Sequence, residues 1–356
     1  MRAAGLARAQ FDALAMLAAT LVVPGSEFVA RRVRTPSLDE QEIAGVPTTV
    51  VRPSGRRPWP AVVFANGATR EGRQHPLVRR LAWGFGWAGY LTYVPDLPGV
   101  ADGELTPSSL EKTVAVASHA ASAADGTGTV ALAGISTGAT LSLLAAADPR
   151  LADRVSAVGA LAPFADLEKI IMLATTRLYR NGERLDLYSP PPYLLVALTR
   201  SLTACLPPFA AQDGLCVQLR ALDGDSTDPV VPLRALSTSD LGRDGTALLA
   251  LLDNRDPARF LALYEALPEE TRASVELLSP SRVAARILAP TEVLTAPRDT
   301  YFPLEEALAV TSAAPRGRLT LSGLFAHATP ALSPRRIPDL GRLDGFIVRW
   351  MAAARG

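Results

Sequence analysis

The stretch between residues 129 and 147 does most to constrain how this chain folds. An apolar run, Thr129-Val130-Ala131-Leu132-Ala133, leads into Gly134-Ile135-Ser136-Thr137-Gly138, and a helical segment follows. This reads as strand, sharp turn, helix. The two glycines permit a strained backbone and close packing behind it, and the turn lifts the Ser136 hydroxyl above the end of a sheet. A serine so placed can act as a nucleophile, with the Thr137 amide pointing to where an oxyanion would form. The same five residues would also serve as a plain glycine turn carrying an ordinary serine, so the context decides.

The context is an alternation of short apolar runs with helical segments. Strand-like runs cover 28–34 and 46–52, with polar, turn-rich residues between them. Strands at 61–66, 90–94, 129–133 and 155–162 then alternate with helices at 76–88, 110–124 and 137–147. Continuous apolar strands separated by helices indicate a parallel sheet covered on both faces. From 164 to 282 the alternation stops, and helices and proline-broken loops take over, with helical segments at 166–179, 192–205, 245–252, 257–266 and 269–277. It resumes with a strand at 291–295, a helix at 303–313, a strand at 318–322 and a closing helix at 340–354. The expected architecture is α/β, a mostly parallel doubly wound sheet with an inserted helical cap. Its parts are an N-terminal helix (1–27), a core (28–163 and 283–356) and the cap (164–282).

Composition narrows the function classes. The 356 residues carry 36 basic and 35 acidic side chains, so the net charge of +1 gives no reason to expect a nucleic-acid partner. Two cysteines, Cys205 and Cys216, make neither a disulfide scaffold nor a zinc module; two free buried thiols or a single bridge remain open. Three dispersed histidines, His75, His119 and His327, argue against a histidine-rich metal centre, and no metal or cofactor is expected. Near the N-terminus an apolar run, 13–23, follows Arg2 and Arg8 and is too short for an ordinary membrane span. An amphipathic helix lying on the body of the protein is the preferred reading; a signal peptide, or a peripheral membrane contact through this helix, is the alternative. The expected location is the cytoplasm, with membrane association or export tied to that alternative.

At four places the chain resembles the α/β-hydrolase superfamily, over about 28–164 and 282–356. One is the elbow at Ser136. Another is Ala65-Asn66-Gly67-Ala68, where relatives commonly carry His-Gly and the following amide serves the oxyanion hole; here that role falls to Ala68. A third is Asp96-Leu97-Pro98-Gly99, similar to a strand-end turn of the family. The last is a pair: Asp299 in the loop after the strand at 291–295, with Ala296 where a glycine is usual, and His327 after the next strand. The order Ser136, Asp299, His327 is the superfamily's order for a catalytic triad.

The resemblance implies a serine hydrolase acting on a small-molecule acyl substrate, a carboxylic ester before a thioester or amide. Ser136 would attack, His327 would carry the proton, and Asp299 would fix the imidazole tautomer. Ala68 and Thr137 would hold the oxyanion. Each residue also has a plainer reading: Asp299 as a helix cap, His327 as a loop histidine, and Asp166 as a rival acid or a cap of its own. Acyl transfer by the same residues, or a non-catalytic binding protein of the same fold, are the other function classes. In the cap, Leu178, Tyr179, Tyr188, Tyr193, Leu194 and Leu195 either line an acyl pocket or pack the cap onto the sheet. Arg70 reads as a solvated surface arginine in preference to a substrate contact.

Overall fold

The computed structural model describes residues 3–20, 35–222, 228–327, 329–330 and 337–355. The strand expected at 28–34 lies outside them. The chain opens with helix α1 (Ala3–Thr20) and a hairpin of β1 (Ser37–Ile43) and β2 (Val46–Arg52). Then come β3 (Trp59–Ala65), α2 (Pro76–Trp87), β4 (Leu91–Pro95), α3 (Pro107–Ala121), β5 (Gly126–Ile135), α4 (Thr137–Ala146) and β6 (Val155–Leu161). These build an eight-stranded sheet with β9 (Thr291–Thr295) and β10 (Gly317–Leu321), in the order β1-β2-β4-β3-β5-β6-β9-β10. Only the β1–β2 and β2–β4 pairs are antiparallel.

Strand β1 was read from sequence as turn residues, because Ser37-Leu38-Asp39-Glu40-Gln41-Glu42-Ile43 is mostly polar. It forms because Ala44 and Gly45, both at positive φ (53° and 72°), close a two-residue hairpin loop that pairs Ile43 with Val46. As the outermost strand it tolerates its acidic residues, which also discourage further strand pairing.

Successive residues of a strand face opposite sides, and here the two sides differ in size. Val130, Leu132 and Val158 share a core with α3, α4 and α12 (Leu304–Ala313). Their neighbours Ala131, Ala133 and Ala157 face α1, α2 and α13 (Ile337–Ala354) instead. Helix α1 packs against both α2 and α13. It is fixed there by Gln10, whose amide donates to both Asp344 carboxylate oxygens at 2.9 Å, and by an Asp12–Arg355 ion pair at 2.6 Å. No helix among the described residues is long and apolar enough to cross a membrane.

The insertion between β6 and β9 is helical but holds a strand hairpin as well. Its elements are α5 (Leu167–Thr176), β7 (Leu178–Asn181), β8 (Arg184–Leu187), α6 (Tyr193–Ala204), α7 (Gln212–Ala221), α8 (Val231–Arg234), α9 (Thr238–Leu252), α10 (Pro257–Glu265) and α11 (Glu269–Leu277). Its two ends meet: Ser281 N–H donates to the Ala165 carbonyl at 2.9 Å, and Leu167 N–H to Ser279 Oγ at 2.9 Å. Ile170, Leu202, Leu219 and Leu233 of the insertion share one core with Leu97, Leu105, Leu141 and Leu144 of the sheet domain. Polar pins fix it further. Glu306 on α12, fully buried, accepts from Ala165 N–H (2.6 Å), Asp166 N–H (2.8 Å) and the Tyr179 hydroxyl (2.5 Å). Buried Arg200 donates to the Leu219 and Asp102 carbonyls at 2.9 and 2.5 Å, joining α6 to the loop after β4.

Candidate active site

Ser136 ends β5 and begins α4 at φ 53°, ψ −122°, a conformation that strains any residue with a Cβ. Glycines on either side make room for it. A Cβ on Gly138 would lie 2.1 Å from the Ala65 carbonyl oxygen, and one on Gly134 would lie 2.3 Å from that of Gly138. The close approach brings the loop after β3 against the elbow. Gly67 sits so near that its own Cβ would be 3.3 Å from Ser136 Cβ. Asn66, where relatives carry histidine, is buried and turns its amide onto the Gly67 carbonyl at 3.0 Å. Ala68 and Thr137 both line the cavity at Ser136.

Three side chains form a continuous hydrogen-bonded line. His327 Nε2 lies 2.8 Å from Ser136 Oγ, and His327 Nδ1 lies 2.9 and 3.0 Å from the two Asp299 carboxylate oxygens. A carboxylate only accepts, so Nδ1 carries the imidazole proton and Nε2 is left to accept from the serine. Asp299 and His327 are buried. Asp299 Oδ1 also accepts from the amides of Tyr301 (2.8 Å) and Phe302 (3.1 Å), which orients the carboxylate without making it a cap of α12. The rival acid, Asp166, accepts from Lys169 N–H at 3.4 Å as the N-cap of α5. His75 caps α2, accepting from Leu77 N–H at 3.3 Å, and the His119 ring meets Tyr93 edge-on.

Tyr301 and Phe302, not singled out from sequence, also bear on the site. The Tyr301 ring centroid lies 4.4 Å from that of His327, and Phe302 meets it edge-on at 5.2 Å, so two aromatics hold the imidazole plane. Both stand within three residues of Asp299 in sequence, which was the one available signal. Tyr188 of the cap donates its hydroxyl to the Asp299 backbone carbonyl. Burial, and then the nearby Asp299 charge, push the Tyr188 hydroxyl pKa up, keeping it a neutral donor.

A cavity of about 590 Å³ opens at Ser136. Of the six cap residues considered from sequence, only Tyr193 and Leu194 line it. Tyr179 and Tyr188 are spent on the Glu306 and Asp299 contacts, and Arg70 instead reaches the Leu222 carbonyl at 3.3 Å. The lining also runs the other way, over Ala133 and Gly159 on the small-residue face of β5 and β6 and under α2 and α13. No Asp, Glu, Lys or Arg is among the described residues that line it. Both cysteines are free, and burial pushes the Cys205 thiol up to about 11, far from a reactive thiolate. Among the described residues no group of His, Cys, Asp and Glu is arranged to hold a metal ion.

Residues 44–182 match the family model described as X-Pro dipeptidyl-peptidase (S15 family). That span includes the elbow and the loop after β3 and stops short of Asp299 and His327. No curated protein matches the sequence. Among solved structures, Est1E from Butyrivibrio proteoclasticus is similar, with 15% identity, a TM-score of 0.50, and coverage of 89% of this chain and 98% of the other. An esterase/lipase from an uncultured bacterium is 14% identical, covering 89% and 86% at a TM-score of 0.47. The 2,6-dihydroxy-pseudo-oxynicotine hydrolase is 18% identical, covering 89% and 68% at 0.44. The likeness to Est1E speaks for the fold alone, and the family match, which contains the serine elbow, speaks for the chemistry. The chain has the α/β-hydrolase fold, and the family match over residues 44–182 supports a serine hydrolase.

Proposed function

We propose that the protein is a carboxylic ester hydrolase that works through Ser136, His327 and Asp299 and a covalent acyl-enzyme. The Ser136–His327–Asp299 line, at 2.8 and 2.9 Å, carries this reading. Serine is a weak nucleophile at neutral pH, so attack on the ester carbonyl requires His327 to take its proton as the bond forms. His327 then protonates the leaving alcohol, and the same exchange with water releases the acid. Asp299 stabilises the imidazolium in between. The Ala68 and Thr137 amides are assigned to the oxyanion, where losing one donor costs about 3–4 kcal/mol of barrier.

The uncharged lining favours an ester over the peptide chemistry in the matched family's name. A dipeptidyl-peptidase substrate brings a free ammonium group, and a buried ammonium needs a carboxylate or several acceptors. No described lining residue is an aspartate or glutamate. A panel of p-nitrophenyl esters beside amino-terminal dipeptide anilides, with a fluorophosphonate probe, tests the assignment. Ester turnover with Ser136-dependent labelling is expected; anilide turnover without ester turnover would overturn it. Adding an alcohol acceptor and quantifying the new ester separates transfer from hydrolysis.

A further inference from the structure

The cavity continues well past the atoms that react. Beyond Ser136 it passes over Ala133 and Gly159 on the sheet and beneath Leu81 and Phe85 of α2, Leu343 of α13 and Met16 of α1. The room arises from the strand pattern described above. On this face β5 presents Ala131 and Ala133, and β6 presents Ala157 and Gly159. The helices rest on the larger Phe64, Phe85, Tyr90 and Trp350, whose rings contact one another with centroids 5.4–6.3 Å apart. A Cβ on Gly159 would already lie 2.9 Å from Trp350, so the indole stands directly on that strand, and its Nε1–H donates to the Leu132 carbonyl at 3.3 Å. These aromatics act as pillars that hold the helices off a floor of small residues. The lining exposes mainly apolar atoms and no charged side chain among its described residues. A hydrocarbon chain loses nothing polar on entering such a space.

We propose that the space between the sheet and helices α1, α2 and α13 is an acyl channel, and that it makes long, unbranched acyl chains the preferred substrates. This rests on the ester-hydrolase reading for Ser136, because the channel ends at its hydroxyl. Chain-length preference is then set by residues of the flanking helices, Leu81 and Leu343 above all, and only at the mouth by Tyr193 of the cap. The N-terminal helix contributes Met16 to the wall.

Two readouts test it. The first is the ratio of kcat/KM for p-nitrophenyl dodecanoate to that for p-nitrophenyl acetate. In Leu343→Trp on α13, and separately in Leu81→Trp on α2, the ratio is expected to fall at least about tenfold. Thermal melting identifies a variant that has lost its fold. The second needs no turnover: calorimetric binding of methyl undecyl ketone, the uncharged analogue of a dodecanoyl ester, to Ser136→Ala. Binding that is lost when Leu343→Trp or Leu81→Trp is added supports the channel. A folded variant that leaves the ratio and the ketone affinity unchanged overturns it. A wild-type protein that cleaves no ester but whose Ser136→Ala form binds the ketone in the channel overturns the hydrolase reading alone.

Discussion

Ser136 lies between two unlike walls. On one side is the cap, located by directional contacts: Glu306 gathers two backbone amides and a tyrosine hydroxyl, Arg200 ties α6 to the Asp102 carbonyl, and Tyr188 holds the Asp299 loop. On the other side are α1, α2 and α13, where apolar packing on aromatic pillars leaves a hollow. Hydrogen bonds fix position, because they fail within a fraction of an ångström. Apolar contacts fix volume, because they depend on how much is filled. The cap wall therefore bears on the Asp299 loop through Tyr188, while on the proposed channel the helix wall decides what fits beside it.

The largest effect is expected where the walls meet. Ser136→Ala should lower ester kcat/KM by at least about 10⁴-fold and abolish fluorophosphonate labelling, with the melting temperature little changed. Activity above about a hundredth of wild type would move the nucleophile elsewhere. Asp299→Asn should cost about 10⁴-fold in kcat, since an amide favours the wrong imidazole tautomer. Asp166→Asn, on the cap, should leave kcat near wild type, asparagine being an equal helix cap. The reverse outcome would relocate the acid to the cap wall.

Next in size is the loss of a cap pin. Glu306→Ala strands three donors in a dry site and should cost about 3 kcal/mol in urea unfolding. Glu306→Gln keeps an acceptor and should cost less. Burial, opposed by its hydrogen bonds, raises the Glu306 pKa above the usual carboxylate value. The folded state then binds the proton more readily than the unfolded chain, and that contribution to stability grows as pH falls through the raised value. Wild type should accordingly gain on Glu306→Gln as pH is lowered from neutral; a pH-independent difference would mean that the carboxylate is ionised at no cost. The smallest effect belongs to Tyr188→Phe. It removes one hydrogen bond, worth about 1 kcal/mol. The dodecanoate-to-acetate ratio should stay unchanged, and a shift there would give the cap the selectivity assigned to the helices.

The two walls were unequally legible in the sequence. Ser136, Asp299 and His327 stand at strand ends whose apolar runs are local signals, and chain order alone associates them. The strand at 291–295 and the helix at 269–277 fall where β9 and α11 do. Strand β1 escaped because its stability comes from a turn and an edge position and not from its own apolar residues. The β7–β8 hairpin escaped, although Asn181-Gly182 is a hairpin signal, because Leu178 and Tyr179 were read as the end of the helix at 166–179. The channel had no local signature at all. It depends on residues as far apart as Met16, Ala133 and Leu343 sharing one face, and on alanines whose significance is the space they leave.

The absence of charge from the described lining has a consequence for turnover. An ester enters neutral, but its acid product has an ordinary carboxyl pKa near 4–5 and ionises at neutral pH. The new anion appears beside His327 and the Ala68 and Thr137 amides, in a space whose described lining holds no lysine or arginine. Holding it there forfeits its hydration, a cost of several kcal/mol. On the ester-hydrolase reading, the reaction converts a molecule that the cavity favours into one that it rejects, and each cycle clears its own site. Product inhibition should be weak at neutral pH and strengthen in acid, where the fatty acid regains its proton and again resembles what came in.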